Sequence, residues 1–460
     1  MQTFELITLL LVAVVALVWL AERIKIPYPM LLMVGGLVLA VTPWTPTIEL
    51  EPEFVLGVFL PPILFQAAQN TSVRDFKLNF PAIGRLAFGL VFATTALVAV
   101  VAHWVIPGIG WSAAFVLGAI VSPPDAVAAT AIFQRLGAPR RIVTILEGES
   151  LINDASAIVI YTFAVAAVKT GDFSPLDAVW SFVVVVVVGL AVGFVGGKVL
   201  GWVLPLLGDP TLVSIVTLLT PFAVYVVGET LHGSGVLAVV VAGLVHGYES
   251  PRTMTATSRL RGIAIWDLVT IAINGLVFIL IGFELGALRE TLSSTDVGRI
   301  LWHGVVVVVA VVAARFAYIL LLGGITKGGS RTGYSPFTEL ADALDFKSQV
   351  LVAWSGLRGV VTMATALALP LVVDSGAAFD HRDEIILIAA FAIVVTLFGF
   401  GLPLPWVLRK LELVDDGSYE TEMDLAHKTI RSAMHTQITT VVRDDPEMAK
   451  FFQPFLNEMQ

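Results

Sequence analysis

Asp154 and Asp125 are carboxylates inside apolar runs long enough to span a bilayer. A charged side chain at mid-bilayer costs roughly 2.5–3.5 kcal/mol on insertion scales, so such residues face a cavity, pair with one another or mark an ion path. Asp154 lies in the stretch EGESLINDASAIVIYTF, residues 147–163. Ser150 precedes it by four residues, on the same face of a helix. A neutral oxygen therefore stands beside the carboxylate, and hard cations take oxygen ligands. Asp125 follows Pro123 and Pro124, which lack the N–H needed to continue a helix. That helix should open and free the carbonyls from Ser122 to Pro124. Open backbone at membrane depth survives only inside protein or along a cavity, and broken helices of this kind build the ion sites of secondary transporters. Asp154, Asp125, Ser150 and the Pro124 carbonyl are the candidate oxygen cage.

Glu149 and Asn153 share a neighbouring face of the same helix, also four residues apart. Asn153 can hydrogen-bond backbone freed by the proline break. Arg358 is a second mid-span charge, bracketed by Gly356 and Gly359 in SGLRGVVTMATALALP, and glycines let a helix loosen and backbones approach. An arginine cannot shed its proton, so it needs a carboxylate or several carbonyls. Glu149 is the expected partner of Arg358 in a structural ion pair, and Arg358 would also offset the negative site. Arg315 lies nearer the end of its span and is expected to snorkel toward water.

The elements that must hold these groups follow from composition. The chain has 460 residues, 57% hydrophobic and 14% charged, where soluble domains are about a quarter charged. Apolar runs of roughly 20 residues, about thirteen of them, read as transmembrane helices. They lie near 3–21, 28–44, 53–70, 84–106, 112–134, 141–168, 176–204, 211–229, 233–248, 266–287, 298–323, 349–372 and 384–408. The fold class is an all-α polytopic membrane protein. Residues 1–410 form the membrane domain and 411–460 a polar tail, with a helix expected over 419–443. The start of the chain has no basic n-region, and Glu5 stands where a signal peptide would carry a cation, so the first run reads as a retained helix.

Lys and Arg crowd the loops after odd-numbered spans (Arg23, Arg74, Arg140, Arg252, Lys327, Arg409) and are scarce after even-numbered ones (Lys169, Arg382). The bias puts the N-terminus outside and the C-terminus in the cytoplasm. The proline-broken span is the fifth and the glycine-broken span the twelfth, so they run in opposite directions. An inverted repeat, spans 1–6 and 8–13 about span 7, gives that arrangement, and paired interrupted segments point to a transport site. The net charge of −9 with no basic stripe argues against nucleic acid. There is no cysteine and no phosphate-binding G-x-x-x-x-G-K, so neither thiol chemistry nor nucleotide hydrolysis is expected, nor any cofactor. Ion gradients must supply the driving force of a transporter that is not an enzyme.

The motifs GESLINDASA, VSPPDAVAA, FLPPILFQAAQN, HGSGVLAVVVAGL and SGLRGVVTMATALALP resemble those of the NhaP-type sodium/proton antiporters, the monovalent cation:proton antiporter-1 family, over most of residues 1–410. The resemblance implies thirteen spans and two crossed discontinuous helices. It implies a core domain within 84–168 and 298–408, a dimer domain within 3–70 and 211–287 that holds a homodimer, and a linker helix at 176–204. It also implies ion binding by Asp154, Asp125, Ser150 and the backbone oxygen of Pro124. Asn153 would stabilise the crossing, and Glu149 would pair with Arg358. Members with Asn-Asp, as here, exchange one cation for one proton. Many relatives carry Glu where this chain has Gln66, which bears on the choice among sodium, lithium and potassium.

The expected mechanism is competition of a monovalent cation and a proton for two carboxylates that resist joint ionisation. An intramembrane aspartyl protease would need different contexts around its two acids. A channel would want rings of carbonyls or acids. A sodium-coupled organic-anion symporter would see its substrate repelled by the acids. A potassium/proton antiporter on the same fold is the nearest alternative. The setting expected is a prokaryotic inner membrane.

Overall fold

In a computed structural model describing residues 2–24, 27–41, 57–171, 175–291, 294–329, 345–413 and 418–444, the apolar runs above are mainly helical where they are described, with breaks inside 112–134 and 349–372. The outer parts of the second and third runs (42–44 and 53–56), the basic residues Lys25 and Arg331, and the tail beyond 444 lie outside the described residues. In chain order the helices are α1 (Gln2–Ile24), α2 (Tyr28–Val41), α3 (Leu60–Asn70), α4 (Val73–Val105), α5 (Trp111–Val121), α6 (Val127–Leu136), α7 (Arg140–Thr170), α8 (Pro175–Leu207) and α9 (Pro210–Thr230). They continue with α10 (Gly235–Thr253), α11 (Ala256–Thr291), α12 (Ser294–Gly329), α13 (Phe346–Trp354), α14 (Val360–Leu367), α15 (Arg382–Gly401), α16 (Leu404–Leu411) and α17 (Ser418–Asp444). Among the described residues, 7 helices are by themselves long and apolar enough to cross a membrane. α2 and α5 are shorter apolar helices. Large apolar side chains of α1 (Val12, Val15, Trp19) and α8 (Trp202, Leu206) are exposed, as befits surfaces bathed in lipid rather than water.

The two interruptions fall where proline and glycine predict them. α5 stops at Val121, the chain passes Pro123 and Pro124 without helix, and α6 resumes at Val127. α6 ends on Gly137 in the left-handed region (φ 68°), the usual glycine stop. α13 is started by Asp345, whose side chain accepts from the Ser348 amide, and it ends at Trp354. α14 resumes at Val360, after Gly356, Arg358 and Gly359.

One boundary differs from the sequence reading. α4 begins at Val73, about a dozen residues before the apolar run, so Arg74 and Lys77 ride on a helix rather than in a loop. Ser72 caps it by accepting from the Asp75 amide, and its amphipathic first turns pack on α7. A hydropathy window sees the membrane-depth part of such a helix and not its polar start.

α4 and α15 each contain a short π-helical stretch, Arg85–Leu90 and Leu397–Gly401. Wider turns release carbonyls from the ladder, and core side chains take them up. The Tyr318 hydroxyl donates to the Arg85 carbonyl at 3.1 Å and Ser156 to that of Ala87 at 2.8 Å. The Trp354 indole donates to the Phe400 carbonyl at 3.0 Å.

Packing divides along the chain. α2 lies on α11, and α10 lies on α3 and α8. α4 packs on α5 and α12, α5 on α7, and α12 on α15. The broken pairs α5–α6 and α13–α14 lie in this second group. α17 is exposed along most of its described length.

Candidate functional site

The two breaks meet. The Asp125 amide donates to the Leu357 carbonyl at 2.7 Å, and the Val360 amide donates to the Asp125 carboxylate at 3.3 Å. Each interruption thus satisfies backbone that the other leaves open, as burial in an apolar slab demands. Gly359 permits the approach: a Cβ there would collide with the Asp125 carboxylate. α7 closes the third side. The Asn153 amide group donates to the Pro124 carbonyl at 3.2 Å, and the Ser150 hydroxyl accepts from the Ala126 amide at 3.4 Å. Asn153 thus bonds backbone at the proline break.

Asp125, Asp154, Ser150, Gln66 and Arg358 line one cavity of about 530 Å³. One wall comes from α2, α3 and α11 (Pro29, Gln66, Asn274), the other from α7 and the two breaks. The predicted cage residues are therefore together, and the Pro124 carbonyl is directed to Asn153 beside them. Asp154 is buried, and Asp125 is partly exposed to the cavity.

Two expectations about arginine are overturned. Glu149 does not pair with Arg358. It receives a forked bond from Arg315, Nη1 to Oε1 at 2.6 Å and Nη2 to Oε2 at 3.0 Å. Arg315 and Glu149 are 2% and 1% exposed, so Arg315 does not snorkel. It also donates to the Val352 carbonyl near the end of α13, where the α13 break leaves that acceptor available. The reason is placement: α12 packs against α13 and so carries Arg315 to Glu149. Arg358 instead donates to the carbonyls of Val121 (3.1 Å), Ser122 (3.4 Å) and Gly356. These are carbonyls that the breaks set free. No carboxylate of a described residue lies within ion-pair distance of Arg358, and its own amide donates to Thr396.

Hydropathy along the chain missed two contributors. Thr396 caps the Arg358 amide at 3.0 Å, and nothing in its sequence context distinguishes it from other threonines in apolar helices. Glu147 also lines the cavity. Its spacing from Ser150 and Asp154, three and seven residues, was the available signal.

Comparisons with known proteins agree on one kinship. The family described as sodium/hydrogen exchanger, transmembrane, matches residues 9–410. An uncharacterised Na(+)/H(+) exchanger of Mycobacterium tuberculosis is 32% identical over 455 residues, covering 97% of this chain and 82% of that one. The low-affinity Na(+)/H(+) antiporter NhaS1 of Synechocystis is 33% identical over 395 residues, 85% of this chain and 71% of the relative. A sodium, potassium, lithium and rubidium/H(+) antiporter of Bacillus pumilus is 32% identical over 437 residues, 92% of this chain and 64% of the relative. The sodium/proton antiporter MjNhaP1 of Methanocaldococcus jannaschii shares the fold, with a TM-score of 0.70 at 19% identity over 89% of this chain and 99% of that one.

Proposed function

Because the chain belongs to the sodium/hydrogen exchanger family, we propose that it exchanges sodium for protons across a membrane, with Asp154 and Asp125 as the shared binding groups. The observation that carries this reading is the cavity in which both carboxylates, the Ser150 hydroxyl and a fixed arginine converge beside two broken helices. Oxygen donors of this kind suit sodium and lithium.

The pairing of the arginines supports a one-for-one exchange. Glu149 and Arg315 neutralise each other. Arg358 keeps its charge, since its side chain is bonded to carbonyls. With both aspartates ionised, Asp154, Asp125 and Arg358 together carry a net charge of minus one, and Glu147 stands apart from them at the mouth of the cavity. One monovalent cation or one proton brings it to zero, and a neutral assembly is the one that crosses a low-dielectric barrier at least cost. Cation and proton then compete, and the carrier alternates by moving the helices around the breaks against α2, α3 and α11. By the positive-inside bias the Arg140 end of α7 and the C-terminus face the cytoplasm, in a prokaryotic inner membrane, with the protein working as a homodimer. Potassium/proton exchange is the second reading. Gln66 favours it, since loss of a carboxylate from the cavity wall weakens preference for the smaller, harder ions.

The test uses purified protein in liposomes with an internal pH dye, given sodium, lithium or potassium pulses with and without a voltage clamp. Sodium-driven proton movement that disappears in Asp154→Asn and ignores the clamp is expected. The apparent sodium KM should also rise as pH falls. Proton movement that survives in Asp154→Asn would remove this site from transport, and a response to potassium alone would change the cargo.

A further inference from the structure

The ion cavity continues into a second one, of about 520 Å³, lined by Asp75, Arg140 and Thr144 on the way to the Arg140 end of α7. Asn70, Thr71 and Glu147 line both. They therefore form the neck between the ion site and that end of the protein. Glu147, Ser150 and Asp154 follow one face of α7 at spacings of three and four, which puts Glu147 about 10 Å along the axis from Asp154. The Glu147 carboxylate accepts no hydrogen bond from any described residue. The nearest cation along its face, Arg140, acts on Glu147 only through its charge and is itself bonded to Asp75 at 3.1 Å. Glu149, two residues on, is by contrast held in its ion pair with Arg315. A half-buried carboxylate at a neck, with amide and hydroxyl oxygens of Asn70 and Thr71 opposite, is not explained by packing.

We propose that Glu147 is a capture residue for the transported monovalent cation on the Arg140 side, an inference that rests on the antiport reading above. It concentrates cations at the neck and hands them inward to Ser150, Asp154 and Asp125. Glu147 stands between Asp154 and the Arg140 end of α7, so it acts on loading from that side. Gln66, in the same cavity wall, lacks the charge to substitute for it. A unit charge about 10 Å from the ion, at an effective dielectric of about 20, changes local cation occupancy by roughly tenfold or somewhat more.

The experiment compares wild type with Glu147→Gln and Glu147→Asp in right-side-out and everted vesicles from a host lacking its own antiporters. Glu147→Gln should raise the sodium KM about tenfold for sodium offered on the Arg140 side. The KM on the other side and the rate at saturating sodium should stay near wild type. Glu147→Asp should restore most of the affinity. The difference should shrink as inert salt rises toward about 1 M, where the screening length is roughly 3 Å, a response that a purely structural defect would not give. An unchanged KM, an equal rise on both sides, or a lowered saturating rate that Glu147→Asp does not rescue would each overturn the capture role while leaving the antiport reading intact. Wild type that moves no protons with any alkali cation would overturn both.

Discussion

Arg315 and Arg358 are both buried, both lie beside helix breaks, and are satisfied in opposite ways. Arg315 is matched by one carboxylate in a forked bond. Arg358 is matched by backbone carbonyls that exist as acceptors only because α5 and α13 stop early. The first arrangement is electrically closed and ties α7 to α12. The second is electrically open: it fastens the two breaks together and leaves a positive charge on the cavity wall beside Asp125 and Asp154. One arginine serves as a strut and the other as a counter-charge, a distinction that residue type alone does not carry.

The largest effect should come from opening the closed pair. Removing one member of a buried ion pair leaves an uncompensated charge, a loss of about 3–5 kcal/mol. Glu149→Gln and Arg315→Leu should each fall by that much in thermal unfolding in detergent, while Glu149→Gln combined with Arg315→Met recovers most of it. Arg358→Leu should not be rescued by Glu149→Gln. If it were, the two arginines would share the carboxylate and the contrast would collapse. A smaller effect is expected at the junction of the breaks. Gly359→Ala presses a methyl group on the Asp125 carboxylate and should cost about 1–3 kcal/mol, with transport slowed more than stability alone explains. Wild-type transport rates in that variant would mean the breaks need not touch. The smallest effect is at the start of α13. Asp345→Ala removes a helix cap worth about 1 kcal/mol. The Ser348 hydroxyl, and after it the Ser348 amide, hold the Asp345 carboxyl below its ordinary value. Its stabilisation is therefore complete above the unfolded value of about 3.9 and is lost as pH falls through the lower folded value. The gap in melting temperature between wild type and Asp345→Ala should be full at pH 7 and narrow below about pH 4.

Much of the site was legible because a membrane makes polarity conspicuous. Asp154, Asp125 and Ser150 stand out against their neighbours, and Pro123 with Pro124 announces a break at a definable depth. Which arginine reaches Glu149 was not legible. Hydropathy gives the depth of a residue along its own helix, and both arginines are at workable depths. The choice depends on which helix α7 faces, a contact between residues 166 apart in sequence. The polar start of α4 was missed for a related reason: Ser72 and the amphipathic turns after it obey the rules of water-facing helices, not of apolar runs. Thr396 was unreadable because its partner, the Arg358 amide, becomes a free donor only after the α13 helix has stopped.

The mutual satisfaction of the two breaks also bears on how the protein is made. The carbonyls of Val121 and Ser122 wait for Arg358, more than two hundred residues later in the chain. At about 5–20 residues per second that is an interval of roughly ten to fifty seconds in which the amino-terminal break has been synthesised without its mate. Bare peptide groups are not tolerated in hydrocarbon, so this segment must be sheltered by the insertion machinery, by water or by a non-native helix pair until the carboxy-terminal half arrives. The cavity shared by Asp125, Asp154 and Arg358 is thus among the last parts of the molecule to exist, and a chain cut short before α13 would carry both aspartates without the second break that encloses them.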